Sequence, residues 1–392
     1  MQIKKDAIVN INNIKNVNIE DNIIKEAVNL NASDIHFEPD ENKVNVRIRI
    51  NGDLIKHCEV PLLEYPLILS RIKVKCGMNI TEKRKPQDGS FSENIYGNSI
   101  NFRVSTILLN TGEKIVIRII NFNKHFESFK ELNFSNNQKN NIKKIINISN
   151  GLVLIVGPTG SGKTQTLYSI IGEIKKYPLN ITSLEDPVEI KMNGINQVDL
   201  SKSTGVDFKT ALKTLLRQDS EVIIIGEIRD SETASIASGA ALTGHKIYST
   251  IHAKSAYEVL LRLRDMNIDR YIVNNCIAGV ICQRLVKILC DNCKIRINTT
   301  NKKIKLYKSG KCDKCNNTGY ISRELVASVH YFNSEIKDNI NDLQFLSKKL
   351  NNSQMKNQIL KLLLRGKVSY YDYIDFIEKE SLWDIITKIY IA

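Results

Sequence analysis

The chain has 392 residues, of which 42% are hydrophobic and 25% are charged, and this composition excludes a collagen-like or low-complexity protein. At roughly 100 to 200 residues per domain, the length predicts two to four domains. The 56 lysines and arginines outnumber the 42 aspartates and glutamates, so the net charge is +14, which favours an anionic partner such as nucleic acid or a membrane surface. Neither a signal peptide nor an apolar run long enough to span a bilayer occurs, so we expect a cytoplasmic protein.

The N-terminal third of the sequence predicts an α+β domain. After a short tail (1–20), hydrophobic periodicity predicts six elements. They are a helix at 19–31, strands at 44–50 and 53–57, a helix at 62–76, and strands at 99–107 and 114–120. The turn signal Asn51-Gly52 joins the first two strands into a hairpin. We therefore predict one domain over 21–122, followed by a linker over 123–137.

The middle of the sequence predicts an α/β domain over 138–289. After a helix near 138–147, short continuous apolar runs alternate with helical segments, as in parallel sheets buried on both faces. The runs are 152–156, 181–184, 222–225 and 246–251. A cysteine-containing element over 290–323 and a helical C-terminal segment over 324–392 complete the predicted organisation.

One octapeptide directly follows the first apolar run and matches G-x-x-x-x-G-K-[ST], the phosphate-binding P-loop. It consists of Gly157, Pro158, Thr159, Gly160, Ser161, Gly162, Lys163 and Thr164. Its glycines let backbone N–H groups surround the phosphates, while Lys163 reaches the β- and γ-phosphates and Thr164 ligates Mg²⁺. Because a strand precedes the motif and a helix-compatible segment follows it, we predict binding of ATP and Mg²⁺ rather than a simple glycine-rich turn.

Polar side chains follow the other apolar runs. Glu227 comes after 222–225, Glu185 and Asp186 follow the run at 181–184, and His252 follows the last run. Because parallel strands end at one sheet edge, the carboxylates are candidates for organising Mg²⁺ and the attacking water, and His252 for sensing the γ-phosphate. The competing interpretations are a solvated turn for the carboxylates and a structural role for the histidine.

Four of the eight cysteines form two C-x-x-C pairs, Cys290 with Cys293 and Cys312 with Cys315. Two such pairs supply four thiolates on tight turns, which fits tetrahedral Zn²⁺. Protein ligands would fill every coordination position, so the zinc is predicted to be structural. The alternative is a set of unmetallated thiols or disulfides.

Together, these motifs and several others resemble the type II secretion and type IV pilus assembly ATPases. The matching segments, in order, are ASDIHFEP (32–39), KPQDGSF (85–91), FRVST (102–106), GEKIVIR (112–118), GPTGSGKT (157–164), EDPVE (185–189), LLRQD (215–219), GEIRD (226–230), TGH (243–245), STIHAKSA (249–256), QRLV (283–286) and TGY (318–320). The resemblance covers about 22–323 and implies a PAS-like domain preceding a RecA-like ATPase domain, assembled as a homohexamer.

The resemblance also implies roles for particular residues. Glu227 corresponds to the catalytic carboxylate, and Arg103 and Arg118 would contact the nucleotide phosphates as arginine fingers. Each of these two arginines lies on an apolar strand, where a charge without a partner is costly; a structural ion pair is the competing interpretation. Arg217 and Arg229 are further basic candidates near the site or a subunit boundary.

The function implied is a motor that assembles a type IV pilus or a type II secretion pseudopilus through an inner-membrane platform protein. Such a motor would work at the inner face of the cytoplasmic membrane, and the tetracysteine element favours the secretion and pilus-extension branches. One alternative is a motor for a competence pseudopilus that takes up DNA. A nucleic-acid translocating ATPase is disfavoured, because the sequence has no stretch of interleaved basic and aromatic residues that would stack bases.

Overall fold

A computed structural model of the chain describes residues 18–120, 128–200, 207–298 and 304–391. These residues form two compact units that divide between Lys124 and His125. Most of the predicted tail (1–20) and the first part of the predicted linker lie outside the described residues. Within the described ranges, no helix is both long enough and apolar enough to cross a membrane.

The first unit is an α+β fold built on one antiparallel sheet. Its elements are α1 (Ile19–Asn29), β1 (Asp34–Pro39), β2 (Lys43–Ile50), β3 (Asp53–Pro61), α2 (Tyr65–Lys75), β4 (Gln87–Ile95), β5 (Asn98–Leu109) and β6 (Gly112–Ile120). The strand order is β3-β2-β1-β6-β5-β4. Asn51 and Gly52 have φ values of 52° and 94°, as the tight turn between β2 and β3 requires. Strands β1 and β4 are additional to the elements predicted from the sequence.

The second unit is an α/β fold with a seven-stranded sheet. Its elements are α3 (Asn136–Ile146), β7 (Gly151–Val156), α4 (Lys163–Ile174), β8 (Ile181–Glu185), β9 (Asn196–Asp199), α5 (Phe208–Leu215), β10 (Val222–Ile225), α6 (Ser231–Leu242), β11 (Lys246–Ile251), α7 (Ala256–Asp265), α8 (Arg270–Cys276), β12 (Ile277–Leu289), β13 (Ile295–Ile297), β14 (Leu306–Lys308), β15 (Tyr320–Tyr331), α9 (Ser334–Asp338), α10 (Leu343–Lys349), α11 (Ser353–Leu364) and α12 (Tyr370–Ile391). The sheet order is β15-β12-β7-β11-β10-β8-β9. The four apolar runs lie in β7, β8, β10 and β11, which are all parallel.

Helices cover both faces of this sheet. Every residue of β7 and β10 is buried, because alternate side chains enter two separate apolar layers. This explains why these strands appear in the sequence as continuous apolar runs rather than as alternating patterns.

Two predicted boundaries differ from the structure. Within the predicted linker, Phe129, Leu132 and Phe134 are buried in the core of the second unit. Removing these apolar side chains from water stabilises the fold even though their neighbours in the sequence are polar. The predicted helical segment from 324 begins instead as the second half of β15, which pairs antiparallel with β12. The helices of that segment start at Ser334.

The cysteine element is a long excursion between two neighbouring strands. Leu289 at the end of β12 lies opposite Tyr320 at the start of β15, so the chain leaves and rejoins the sheet at one place. Between these points, β13 and β14 form a small antiparallel pair of their own. The excursion thus adds a separate substructure to one corner of the sheet.

Candidate functional site

The candidate site lies at the carboxyl edge of the parallel strands in the second unit. Strands β7, β11 and β10 are neighbours and run in the same direction. The P-loop follows β7, His252 follows β11 and Glu227 follows β10. The topology therefore brings together three groups of residues that are up to 95 positions apart in the sequence.

The P-loop leads directly into helix α4. Gly162 caps this helix with φ of 84°, a left-handed conformation that is easily adopted only by glycine. Lys163 opens the helix, and its Nζ donates to the carbonyl oxygens of Gly157 (2.9 Å) and Pro158 (3.2 Å). Burial lowers the pKa of Lys163, and the Glu227 charge partly opposes this effect. The Lys163 ammonium group thus lies inside the loop. It is next to the N-terminus of α4, which itself favours anions.

Strand β12 supports the P-loop from the side, through Gln283. Its side-chain Nε2 donates to the Ser161 carbonyl oxygen at 2.7 Å. A Cβ atom at Gly157 would lie 2.5 Å from the Gln283 carbonyl oxygen, so only glycine fits there. The Ser161 hydroxyl is buried without a hydrogen-bond partner among the described residues, which leaves a polar atom in the loop for a phosphate oxygen. The loop thus fits a nucleotide.

Glu227 lies between an arginine and a histidine side chain. Its Oε2 accepts a hydrogen bond from Arg229 Nε at 2.7 Å, and this bond raises the pKa of Arg229. Its Oε1 is 2.9 Å from His252 Nε2, at an angle that does not make a hydrogen bond, so this buried oxygen has no hydrogen-bond partner in the described part of the chain. Arg229 therefore orients the carboxylate, while its other oxygen faces the His252 ring and accepts no hydrogen bond from the described residues.

Glu185 and Asp186 differ sharply in their surroundings. Glu185 is buried at the end of β8 and accepts hydrogen bonds from Ser183 Oγ (2.8 Å) and Gln197 Nε2 (3.3 Å). Burial raises the pKa of its carboxyl group. Asp186 is exposed. Of the two, Asp186 is the more accessible to a metal ion, whereas Glu185 already belongs to a buried polar cluster.

The two candidate arginine fingers lie in the first unit, on adjacent strands. Arg103 in β5 pairs directly with Arg118 in β6. Arg118 Nε donates to Asp34 Oδ1 at 3.1 Å, and the Arg118 side chain remains 58% exposed. The ion pair of the competing interpretation is therefore present at Arg118, yet more than half of the Arg118 side chain remains exposed.

Arg217 does not lie at the nucleotide edge of its own chain. It follows α5 and precedes β10, whereas Glu227 comes after β10, so the two residues lie at opposite ends of that strand. Asn180, which precedes β8, donates to the carbonyl oxygens of Gln218 and Asp219 (3.0 and 2.8 Å) and anchors this segment at the amino edge. Within its own chain, Arg217 therefore lies at the edge of the sheet opposite to the P-loop. Its exposed side chain leaves the subunit-boundary role as a prediction.

The four paired cysteines converge on one point. Their Sγ atoms all lie within 4.8 Å of one another, with separations of 3.8 Å for Cys290–Cys312, 3.7 Å for Cys293–Cys315 and 3.6 Å for Cys312–Cys315. A tetrahedral ion with Zn–S bonds near 2.3 Å requires sulfur atoms about 3.8 Å apart. The cluster therefore has the ligand type, number and spacing of a structural zinc site, and none of its cysteines forms a disulfide.

Comparison with known proteins gives one family over most of the chain. A family model described as "Type II/IV secretion system protein" matches residues 12–374. The type II secretion system protein E of Dickeya dadantii is 37% identical over 310 residues, covering 77% of this chain and 62% of that protein. The type IV pilus assembly ATPase PilB of Thermus thermophilus is 36% identical over 328 residues, covering 80% of this chain but 37% of the relative.

A solved structure supports the fold independently. The ATPase DotB of Legionella pneumophila superposes with a TM-score of 0.71 at 22% identity, covering 92% of this chain and 95% of that one. At this identity, the likeness concerns the fold alone. The chain spans less than two thirds of the lengths of the Dickeya and Thermus proteins.

Proposed function

The chain belongs to the family of type II/IV secretion system proteins, and on this premise we propose that it is an ATP-hydrolysing motor. The observation that carries the proposal is the shared sheet edge, where the P-loop and Glu227 follow two parallel strands, β7 and β10, that are separated only by β11. By analogy with its relatives, the motor assembles a type IV pilus or a type II secretion pseudopilus. A competence pseudopilus remains the alternative product.

The proposed nucleotide ligands are the P-loop residues 157–164. Backbone N–H groups of the loop and the N-terminus of α4 bind the phosphates. Lys163 exchanges its carbonyl partners for phosphate oxygens. Bound Mg²⁺ adds positive charge at the phosphates, and Thr164 with Asp186 or Glu185 are the residues proposed to hold it.

In the proposed reaction, water attacks the γ-phosphorus and the bond to the β–γ bridging oxygen breaks, giving ADP and inorganic phosphate. Glu227 orients this water with Oε1, the oxygen that accepts no hydrogen bond, and takes up a proton from the water. Arg229 and His252 hold the carboxylate, and His252 senses the γ-phosphate. Arg103 and Arg118 contribute positive charge to the phosphates as the reaction proceeds.

We further propose a homohexamer, as the resemblance of the motifs to the type II secretion and type IV pilus assembly ATPases implies. Arg217 and Arg229 then lie near subunit boundaries. The proposed partner is an inner-membrane platform protein, and the proposed location is the inner face of the cytoplasmic membrane. Zinc in the tetracysteine cluster is proposed to be structural. Nucleic acid is not a proposed partner.

Two substitutions test this assignment. Glu227→Gln should retain ATP binding but lower the rate of ATP hydrolysis by about 100-fold or more, because the amide cannot accept the proton. Lys163→Ala should lose both binding and turnover. The matched control is Glu221→Gln, which changes a carboxylate at the opposite end of the same strand, where its side chain accepts a bond from the Asn180 N–H group. Wild-type turnover by Glu227→Gln would overturn the proposal.

A further inference from the structure

A buried charged cluster joins the C-terminal helix α12 to strand β12. Its central contact is an ion pair in which Arg284 Nη2 lies 2.9 Å from Glu380 Oε1. The two side chains are only 12% and 7% exposed. Buried ion pairs add little stability relative to apolar packing, but they fix the geometry of the elements that carry them. This pair therefore fixes α12 against β12.

Arg284 also contacts the backbone of its own strand and one further segment. Its Nη1 donates to the Gln283 carbonyl oxygen at 3.0 Å, and its Nη2 donates to the Lys254 carbonyl oxygen at 3.0 Å. Asn352, at the start of α11, strengthens the arrangement, because its Nδ2 donates to both Glu380 Oε2 (2.6 Å) and the Lys254 carbonyl oxygen (2.9 Å). A single carboxylate in α12 thus organises donors that reach the β12 backbone at Gln283 and the loop at Lys254.

Both of these places adjoin the candidate nucleotide site. Gln283 supports the P-loop through its bond to the Ser161 carbonyl oxygen. Lys254 lies two residues after His252, whose Nε2 is 2.9 Å from Glu227. Burial is the main reason that the pKa of Lys163 is lowered, and the charge of Arg284 lowers it further. The cluster therefore touches the supports of the phosphate-binding and carboxylate sides of the site, without itself being part of it.

We propose that Glu380 is a positioning residue for ATP turnover, which ties helix α12 through Arg284 to the P-loop and the His252 loop. The proposal rests on the proposed ATPase function. It means that the docking of the C-terminal helix controls the geometry of the nucleotide site. A partner that displaces α12 would change the rate of ATP hydrolysis without touching the nucleotide.

The test is Glu380→Gln in the full chain, with Asp375→Asn as the matched control. Asp375 lies on the same helix but forms an exposed ion pair with Lys379. The experiment measures kcat and KM for ATP, together with hydrogen exchange in peptides covering 157–164 and 252–255. We expect Glu380→Gln to lower kcat/KM by about ten-fold or more and to speed exchange in both peptides, while the control matches the wild type. Wild-type kinetics and exchange in Glu380→Gln would overturn the proposal.

A second variant covers the case in which Glu380→Gln does not fold. The double variant Arg284→Gln/Glu380→Gln removes both buried charges and leaves two amides that can bond to each other. It should fold, as judged by circular dichroism and zinc content, and show the same loss of kcat/KM; wild-type kcat/KM would overturn the proposal.

If the wild-type chain itself does not hydrolyse ATP, the proposed function fails separately. The positioning role is then decided by hydrogen exchange alone. Faster exchange at 157–164 and 252–255 in either Glu380 variant supports it, and unchanged exchange refutes it.

Discussion

Gly157 shows how a single residue limits what the site tolerates. A Cβ atom there would lie 2.5 Å from both the Gln283 carbonyl oxygen and the Ser161 hydroxyl oxygen. The first of these atoms belongs to the backbone of β12, an interior strand of the sheet. Moving it would disturb the packing of that strand against its neighbours. The identity of this residue is therefore fixed by the neighbouring strand as well as by the nucleotide.

We predict that Gly157→Ala weakens ATP binding by about ten-fold or more, since the loop must shift away from β12. The affinity can be measured by titration with a fluorescent ATP analogue. Gly239→Ala, in helix α6, is the control, because a Cβ atom there would meet no atom within 4 Å. Equal affinities for the two variants would contradict this account of the loop.

His330 illustrates a different effect at the residue scale, a dependence of stability on pH. It is buried in β15, and burial lowers its pKa to about 4. The neutral form is favoured in the folded chain, so the contribution of His330 to stability is complete above the ordinary pKa of about 6.5. That contribution is lost as the pH falls from there toward 4.

We predict that this loss amounts to about 2 kcal/mol at pH 5. His330→Gln, which does not titrate, should therefore show a smaller decrease in the free energy of unfolding between pH 7 and pH 5. Urea unfolding of both proteins at the two pH values measures the difference. Equal decreases in the free energy of unfolding of the two proteins would mean that folding does not lower the pKa of His330.

At the scale of elements, the strands of the parallel sheet that carry the site were predictable within a residue or two. Burial on both faces makes β7, β8, β10 and β11 continuous apolar runs, and this signal is local. The support from Gln283 was not predictable from these patterns, because it depends on β12 pairing beside β7, across 122 positions. The position of Arg217 was not predictable for a related reason. It is close to Glu227 in the sequence, but strand β10 separates the two residues.

The cysteine element gives a prediction about folding of a local element. The pair β13–β14 is too small to be stable in water without further support, so we expect a zinc ion in the tetracysteine cluster to supply part of that support. Cys293→Ser should reduce bound zinc and speed hydrogen exchange within 290–319, while the parallel sheet stays protected. Cys58→Ser, which changes a cysteine of the first unit outside the cluster, should keep zinc. Unchanged zinc content in Cys293→Ser would contradict the assignment.

Considered as a whole, the molecule carries its charge unevenly. Residues 290–323 contain nine lysines and arginines and two aspartates, which is half of the net charge of +14. Lys305, Lys308, Lys311 and Lys314 are exposed. Such a concentration is typical of a surface that meets anionic lipid headgroups, which agrees with the proposed location at a membrane face.

Reversing the charge of these four lysines to glutamate should therefore weaken binding to vesicles that contain about one third phosphatidylglycerol by more than about ten-fold. Cosedimentation at two salt concentrations measures this binding. A variant with the same change at Lys143, Lys175, Lys348 and Lys361, which are also exposed, controls for net charge. Equal losses in both variants would assign the binding to overall charge rather than to the cysteine element.

The excursion between Leu289 and Tyr320 has one more consequence. Because its two ends are partners across adjacent strands, a short reverse turn could also connect β12 to β15. Insertions at such a point change the surface of a protein while leaving the register of its core intact. The length of the chain between Leu289 and Tyr320 can therefore change without altering how β12 pairs with β15.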